Sequence, residues 1–192
     1  MPDRIAIFVD GGYLDKILQR EFSRAQINYS ALSNWMANGI DILRTYYYNC
    51  LPFKKDPPTP EQSKQFANAQ SFFSKLNSLP KYEVREGKLE FRGVDRDTGR
   101  MIFQQKRVDI MLGVDLTILA SKHMITHAAI VTGDSDFLPA IVAAKQEGIM
   151  VKLFHSIYNP TKEIDLRPHK DLWEKADERF IITQEVINKI LR

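Results

Sequence analysis

The sequence predicts an α/β fold: a single domain with a mainly parallel sheet sandwiched by helices. Two observations predict it. Short apolar runs alternate with segments of helical spacing along most of the 192 residues, the pattern of strands joined by crossover helices. Two of those runs lead to a carboxylate and then into a helical pattern: Ile5 to Val9 is followed at once by Asp10, and Ala129 to Val131 by Asp134 three residues on. Open α/β sheets put their chemistry at such strand ends.

In chain order, the pattern gives a strand at 4–9 and a helix at 13–22, with Leu14, Ile17 and Leu18 on one face. A second helix follows at 31–36, with Asn28 or Ser30 as its cap. Residues 40–51 are β-branched and aromatic and read as a strand. Pro57, Pro58 and Pro60 remove donors and fix φ, which excludes regular structure over 54–60. A helix runs from Glu61, with Phe66, Ala69, Phe73 and Leu76 at core spacing. Residues 81–105 are extended, a hairpin or long loop inserted around the Gly93 to Gly99 turn. A helix at 108–123, a strand at 128–132, a helix at 137–146 stopped by Gly148, and a strand at 149–154 complete the alternation. Beyond Pro160 the pattern fades into a C-terminal extension, 160–192, with a last strand at 180–183 and a terminal helix. Its apolar tail either covers a sheet edge or forms a homodimer.

Composition narrows the function classes. A net charge of +3 without blocks of like charge permits a polyanionic partner and excludes histone-like binding. A single cysteine, Cys50, excludes an intramolecular disulfide and a thiolate zinc cluster. No apolar run is long enough to span a membrane, and the N-terminus carries no signal-peptide pattern. The expectation is a soluble cytoplasmic protein without a membrane partner. His123, His127, His155 and His169 lack ligand spacing.

The chemistry rests on aspartates. Asp10 ends the first apolar run, Asp134 and Asp136 follow Thr132-Gly133, and Asp109 and Asp115 punctuate a third apolar segment. Asp134 or Ser135 also suits the cap of the helix that follows. At 3.6 residues per turn, Asp109 and Asp115 lie roughly 120° apart around a shared helix, so they do not share one face. Acids are seldom buried unless paired or metal-bound. Two unit charges ~4 Å apart repel by roughly 4 kcal/mol at an effective dielectric near 20. A shared acidic site therefore calls for a cation. Oxygen ligands without His or Cys select a hard one, Mg²⁺ or Mn²⁺, and the chemistry that follows is phosphodiester hydrolysis.

The segments Phe8-Val-Asp10-Gly-Gly, Lys106-Arg-Val-Asp109 with Asp115, and Val131-Thr-Gly-Asp134-Ser-Asp136-Phe137 resemble the NYN domain of the PIN-like nucleases, most of all its bacterial LabA/DUF88 branch. The resemblance runs over about 4–154. It implies a metal-dependent endoribonuclease, with catalytic and metal-binding roles for Asp10, Asp109, Asp115 and Asp134, and Asp136 assisting as metal ligand. It also implies substrate contacts from Gly11, Lys106, Arg107, Thr132 and Ser135, the last two positioning a phosphate or a ligand carboxylate. Many members carry Asn three residues after the first Asp, where this chain has Tyr13. The alternative is a catalytically weak NYN protein acting as an RNA-binding or protein-interaction regulator. An aspartyl-phosphate phosphohydrolase is disfavoured because Gly12 stands where those enzymes need a second acid, and the Asp10-Gly-Gly spacing does not fit a dinucleotide fingerprint.

For an RNA partner, Lys54, Lys55, Arg85, Lys88, Arg92, Arg96, Arg100, Lys106 and Arg107 are candidate phosphate contacts. Tyr46, Tyr47 and Phe91 are candidate stacking groups.

Overall fold

The first strand, β1 (Arg4–Asp10), is buried along almost its whole length because it lies at the centre of the sheet. The computed structural model describes residues 2–96, 98–99, 101–157 and 165–192. After β1 come α1 (Gly11–Glu21), α2 (Tyr29–Ala37), β2 (Asp41–Cys50), α3 (Pro60–Asn77), β3 (Tyr82–Val94), β4 (Met101–Lys106) and α4 (Val108–Ser121). The second half holds β5 (His127–Val131), a 3-10 turn (Ser135–Phe137), α5 (Leu138–Gln146), β6 (Met150–His155), α6 (Lys170–Lys175), β7 (Glu178–Ile181) and α7 (Gln184–Lys189). The strands form one seven-stranded sheet in the order β4-β3-β2-β1-β5-β6-β7. All neighbours are parallel except β3 and β4.

Alternation along β1 divides the core. Ile5, Ile7 and Val9 pack with Leu14 and Ile17 of α1, Leu32 and Met36 of α2, Phe73 and Leu76 of α3, and Ile187 of α7. Ala6 and Phe8 pack on the opposite face with Leu112 and Leu116 of α4, Ile141 of α5 and Leu172 of α6. Both faces are therefore covered by helices, as expected of a parallel sheet. The chain winds outward from β1 through β2 and β3, then returns to lay β5 on the other side of β1. The strand order reverses between β1 and β5, and the crevice beyond their carboxyl ends is the expected ligand site of such a sheet.

The helix boundaries follow from capping. Asn28 accepts from Ala31 N at 3.0 Å and starts α2 two residues earlier than the apolar spacing indicates. Thr59 and Gln62 form a reciprocal capping box that starts α3 at Pro60. Within α3, Phe73 and Leu76 reach the core, whereas Phe66 is half-buried beneath Lys54 Nζ, 4.2 Å from its ring centroid.

The region 81–105 is structural before it is a hairpin. β3 runs parallel to β2 from Tyr82 to Gly87, and its second half leaves β2 to pair with β4. The apolar tail packs on its own chain: Phe180 stacks on Phe154 at 4.8 Å, and Ile182, Ile187 and Ile190 are buried. Among the described residues, no helix is long and apolar enough to cross a membrane.

Candidate active site

Asp10 closes β1 and opens α1. Its Oδ1 accepts from Tyr13 N at 3.1 Å, so the carboxylate caps the helix and starts it at Gly11. Asp10 is half-buried, and burial, with a smaller contribution from the Asp109 charge, pushes its carboxyl up to about 6. Asp134 holds the corresponding place after β5. Its amide donates to Thr132 Oγ1 at 3.2 Å, and its Oδ1 accepts from Asp136 N at 3.0 Å, which caps the 3-10 turn. Asp109 lies in the first turn of α4, where the helix dipole favours its charge. Its carboxyl is nevertheless raised, by burial first and then by Asp134 and Asp136. Asp109 thus feels the charges of Asp134 and Asp136, and Asp10 feels that of Asp109.

Asp115 belongs elsewhere. Arg85 Nε of β3 donates to Asp115 Oδ2 at 3.0 Å, and Tyr48 Oη donates to the same oxygen at 2.8 Å. Because α4 starts at Val108, both aspartates are helical and diverge around the axis, so Asp115 turns to β2 and β3.

The expected substrate contacts are equally mixed. Gly11 is buried against Tyr47 and Asn49, and a Cβ there would collide with the Tyr47 ring. It is a packing residue in this fold. Thr132 is wholly buried and orders the Asp134 loop through its hydroxyl. Ser135 lines a groove between α4 and α5 of about 1060 Å³, together with Asp109 and Asp136. Lys106 Nζ pairs with Glu90 at 3.0 Å, while Arg107 is exposed at the entry to α4 with φ of 75°. Tyr46 and Tyr47 are buried in β2 and present no ring to solvent, unlike Phe91, which is 46% exposed. Arg100 lies outside the described residues.

Tyr13 has a structural task. Its hydroxyl donates to Leu166 O at 2.6 Å and accepts from Ser156 N at 3.2 Å, while its ring packs under Gly133. A Cβ at Gly133 would stand 2.6 Å from Tyr13 Cε2, so the glycine lets the Asp134 loop sit directly on that ring. Two residues near the site carry no motif signal in the sequence. Gln105 of β4 reaches toward the α1 entry, with Oε1 3.8 Å from where a Cβ on Gly12 would stand. Asp15 of α1 is exposed at residue level and receives Asn49 Nδ2 at 3.4 Å, yet desolvation around its carboxylate pushes it up to about 6.

The NYN domain model matches residues 4–181. The chain belongs to the NYN domain family. A solved protein of unknown function from Vibrio parahaemolyticus RIMD 2210633, VPA0982, superposes with a TM-score of 0.58 over 100% of this chain and 97% of that one, at 16% identity. It shares the fold. Phytolacca americana UGT2, solved with UDP-2fluoro-glucose and pterostilbene, superposes only loosely, with a TM-score of 0.32 at 14% identity over 80% of this chain and 30% of that one. No curated protein matches the sequence significantly.

The donor set of this NYN chain bears on which ion would suit it. Among the described residues, no three His, Cys, Asp or Glu side chains stand close enough together to hold a metal ion by themselves. A closed cage is thus not what the side chains form. Mg²⁺ characteristically keeps several waters and binds through one or two carboxylates plus substrate phosphates. An all-oxygen set in which burial raises both Asp10 and Asp109, and the Asp109 charge adds to the shift of Asp10, fits such a hydrated ion.

Proposed function

We propose that this NYN protein, of the LabA/DUF88-like branch, is a cytoplasmic metal-dependent endoribonuclease that hydrolyses RNA phosphodiester bonds with Mg²⁺ or Mn²⁺. The observation that carries the reading is the placement of acids from three separate segments. Asp10 and Asp134 cap the turns after β1 and β5, the strands at which the sheet order reverses, and Asp109 stands in the first turn of α4, where burial and then Asp134 and Asp136 raise its carboxyl. Bound there, the cation would supply charge neutralisation, an activated water and stabilisation of the leaving oxygen.

The chain's own residues do the rest. Asp10 and Asp109 would hold the ion, and their raised carboxyls would release protons as it binds. Asp134 would reach it directly or through water, in an orientation fixed by its bond from the Asp136 amide. Asp136 and Ser135 face the adjoining α4–α5 groove, where a scissile phosphate has room. Arg107 would meet a neighbouring phosphate. Asp115 would act at a distance, by holding Arg85 and Tyr48 in place behind α4.

One observation favours the second reading, a catalytically weak RNA-binding or protein-interaction regulator. Tyr13 stands where many members carry Asn, and both of its hydroxyl contacts are to the backbone. The test is cleavage of an end-labelled, mixed-sequence RNA by the pure protein with Mn²⁺, Mg²⁺ or EDTA, beside Asp10→Asn and Asp134→Asn. Cutting that needs metal and both aspartates supports the nuclease. Absence of cutting with Mn²⁺ still bound supports the regulator.

A further inference from the structure

We propose that the aromatic face of the β3–β4 ribbon is a base-stacking shelf that delivers single-stranded RNA to the acidic crevice. The inference rests on the ribonuclease reading for its destination and on separate residues for its substance. The ladder pairs Leu89 with Gln105 and Phe91 with Phe103, which places these four side chains on one face of the ribbon. Phe53, from the loop after β2, joins them: its ring centroid lies 6.1 Å from Phe91 and 5.1 Å from Phe103, and Phe91 lies 5.9 Å from Phe103. Phe91 keeps 46% of its surface exposed, and Val94 and Met101 extend the apolar face to the ribbon tip at 53% and 41%. The same face leads back toward the acids through Gln105, whose Oε1 stands 3.8 Å from where a Cβ on Gly12 would lie, with Asp10 Oδ1 3.4 Å from the same point. The shelf therefore adjoins the crevice.

Charge selects the occupant. Residues 88–107, which hold the ribbon, contain six Lys and Arg against three Asp and Glu, a net +3. On the ribbon's other face Lys88, Arg92 and Lys106 crowd one carboxylate, Glu90, at 3.5, 3.6 and 3.0 Å, which leaves a positive excess. An apolar aromatic shelf on a locally basic arm fits a polyanion that exposes flat rings. Single-stranded RNA does so; in a duplex the base faces are already stacked and unreachable.

The test measures fluorescence anisotropy of a labelled single-stranded RNA 12-mer, and of the same sequence as a duplex, on the full chain in EDTA so that nothing is cut. Phe91→Ala should weaken single-strand binding about tenfold and leave duplex binding unchanged. Phe91→Trp should retain binding and show quenching by the single strand beyond any response of Trp35 and Trp173 in the unaltered chain. Unchanged single-strand affinity in Phe91→Ala, or duplex bound as tightly as single strand, would overturn the shelf. If Phe91→Ala unfolds by circular dichroism, the Trp variant decides: quenching supports the shelf and its absence overturns it. The two proposals fail separately. A chain that binds through Phe91 but cuts no RNA keeps the shelf and loses the nuclease; one that cuts RNA with Phe91 irrelevant to binding does the reverse.

Discussion

Removing the charge of Asp10 should make the protein more stable at alkaline pH. Burial and Asp109 move its carboxyl from 3.8 to about 6 in the folded chain. Below pH ~4 the group is protonated in both folded and unfolded chains and carries no penalty. Between ~4 and ~6 the folded chain keeps a proton that the unfolded chain releases, so stability falls as pH rises; above ~6 the whole penalty is present. The displacement is worth about 3 kcal/mol, and solvent reaching the half-buried carboxylate reduces this to ~1–2 kcal/mol. Asn caps helices as well as Asp, so Asp10→Asn should keep the start of α1 and shed only the charge. Thermal melts without metal should show Asp10→Asn about 2–8 °C above the unaltered protein at pH 8 and level with it near pH 4. Saturating Mn²⁺ should raise the melting temperature of the unaltered protein and narrow or reverse the difference. A variant less stable at pH 8, or a gain that does not vary with pH, would refute the view of Asp10 as a strained, unneutralised charge.

Other perturbations separate the roles of neighbouring residues. Gly133→Ala should cost ~1–3 kcal/mol in chemical denaturation, because its Cβ would stand 2.6 Å from Tyr13 and either the ring or the Asp134 loop must shift. Asp115→Ala strips the carboxylate from Arg85 and Tyr48 and should cost a similar ~1–3 kcal/mol. Calorimetric Mn²⁺ titration should find its affinity within about twofold of the unaltered protein, whereas Asp109→Ala should abolish the binding heat. Mn²⁺ affinity should also fall roughly tenfold between pH 8 and pH 5, since Asp10 must first lose a proton held up to about 6.

What the sequence discloses depends on whether the signal is local. Asp10 and Asp134 stand out because each follows a buried run and coincides with a turn and a cap, features within a few residues of one another. The divergence of Asp109 and Asp115 follows from helix geometry alone, but the partners of Asp115 do not. Arg85 is 30 residues away and Tyr48 is 67, brought in by strand pairing. Tyr46 and Tyr47 look like stacking groups until β2 is known to be an interior strand with both faces covered. Helix α6 has six residues, too few to show a period, and its single buried side chain, Leu172, leaves no stripe. Gln105 is not legible for another reason. An amide carries no catalytic signature, and its direction depends on a hairpin register with an irregularity between Phe91 and Gly93. Tyr13 likewise reads as a lost polar residue until its contacts to Leu166, Ser156 and Gly133 reveal a prop beneath the Asp134 loop.

The central claim is hydrolysis of RNA by a water activated at these aspartates, and the product ends report on it directly. A single-stranded RNA digested in Mn²⁺ and analysed by mass spectrometry should yield fragments without 2′,3′-cyclic phosphate, because water rather than the neighbouring 2′-hydroxyl attacks. The same fragments should be absent in EDTA and with Asp10→Asn. Cyclic-phosphate ends, or fragments that persist in EDTA or in Asp10→Asn, would contradict the account.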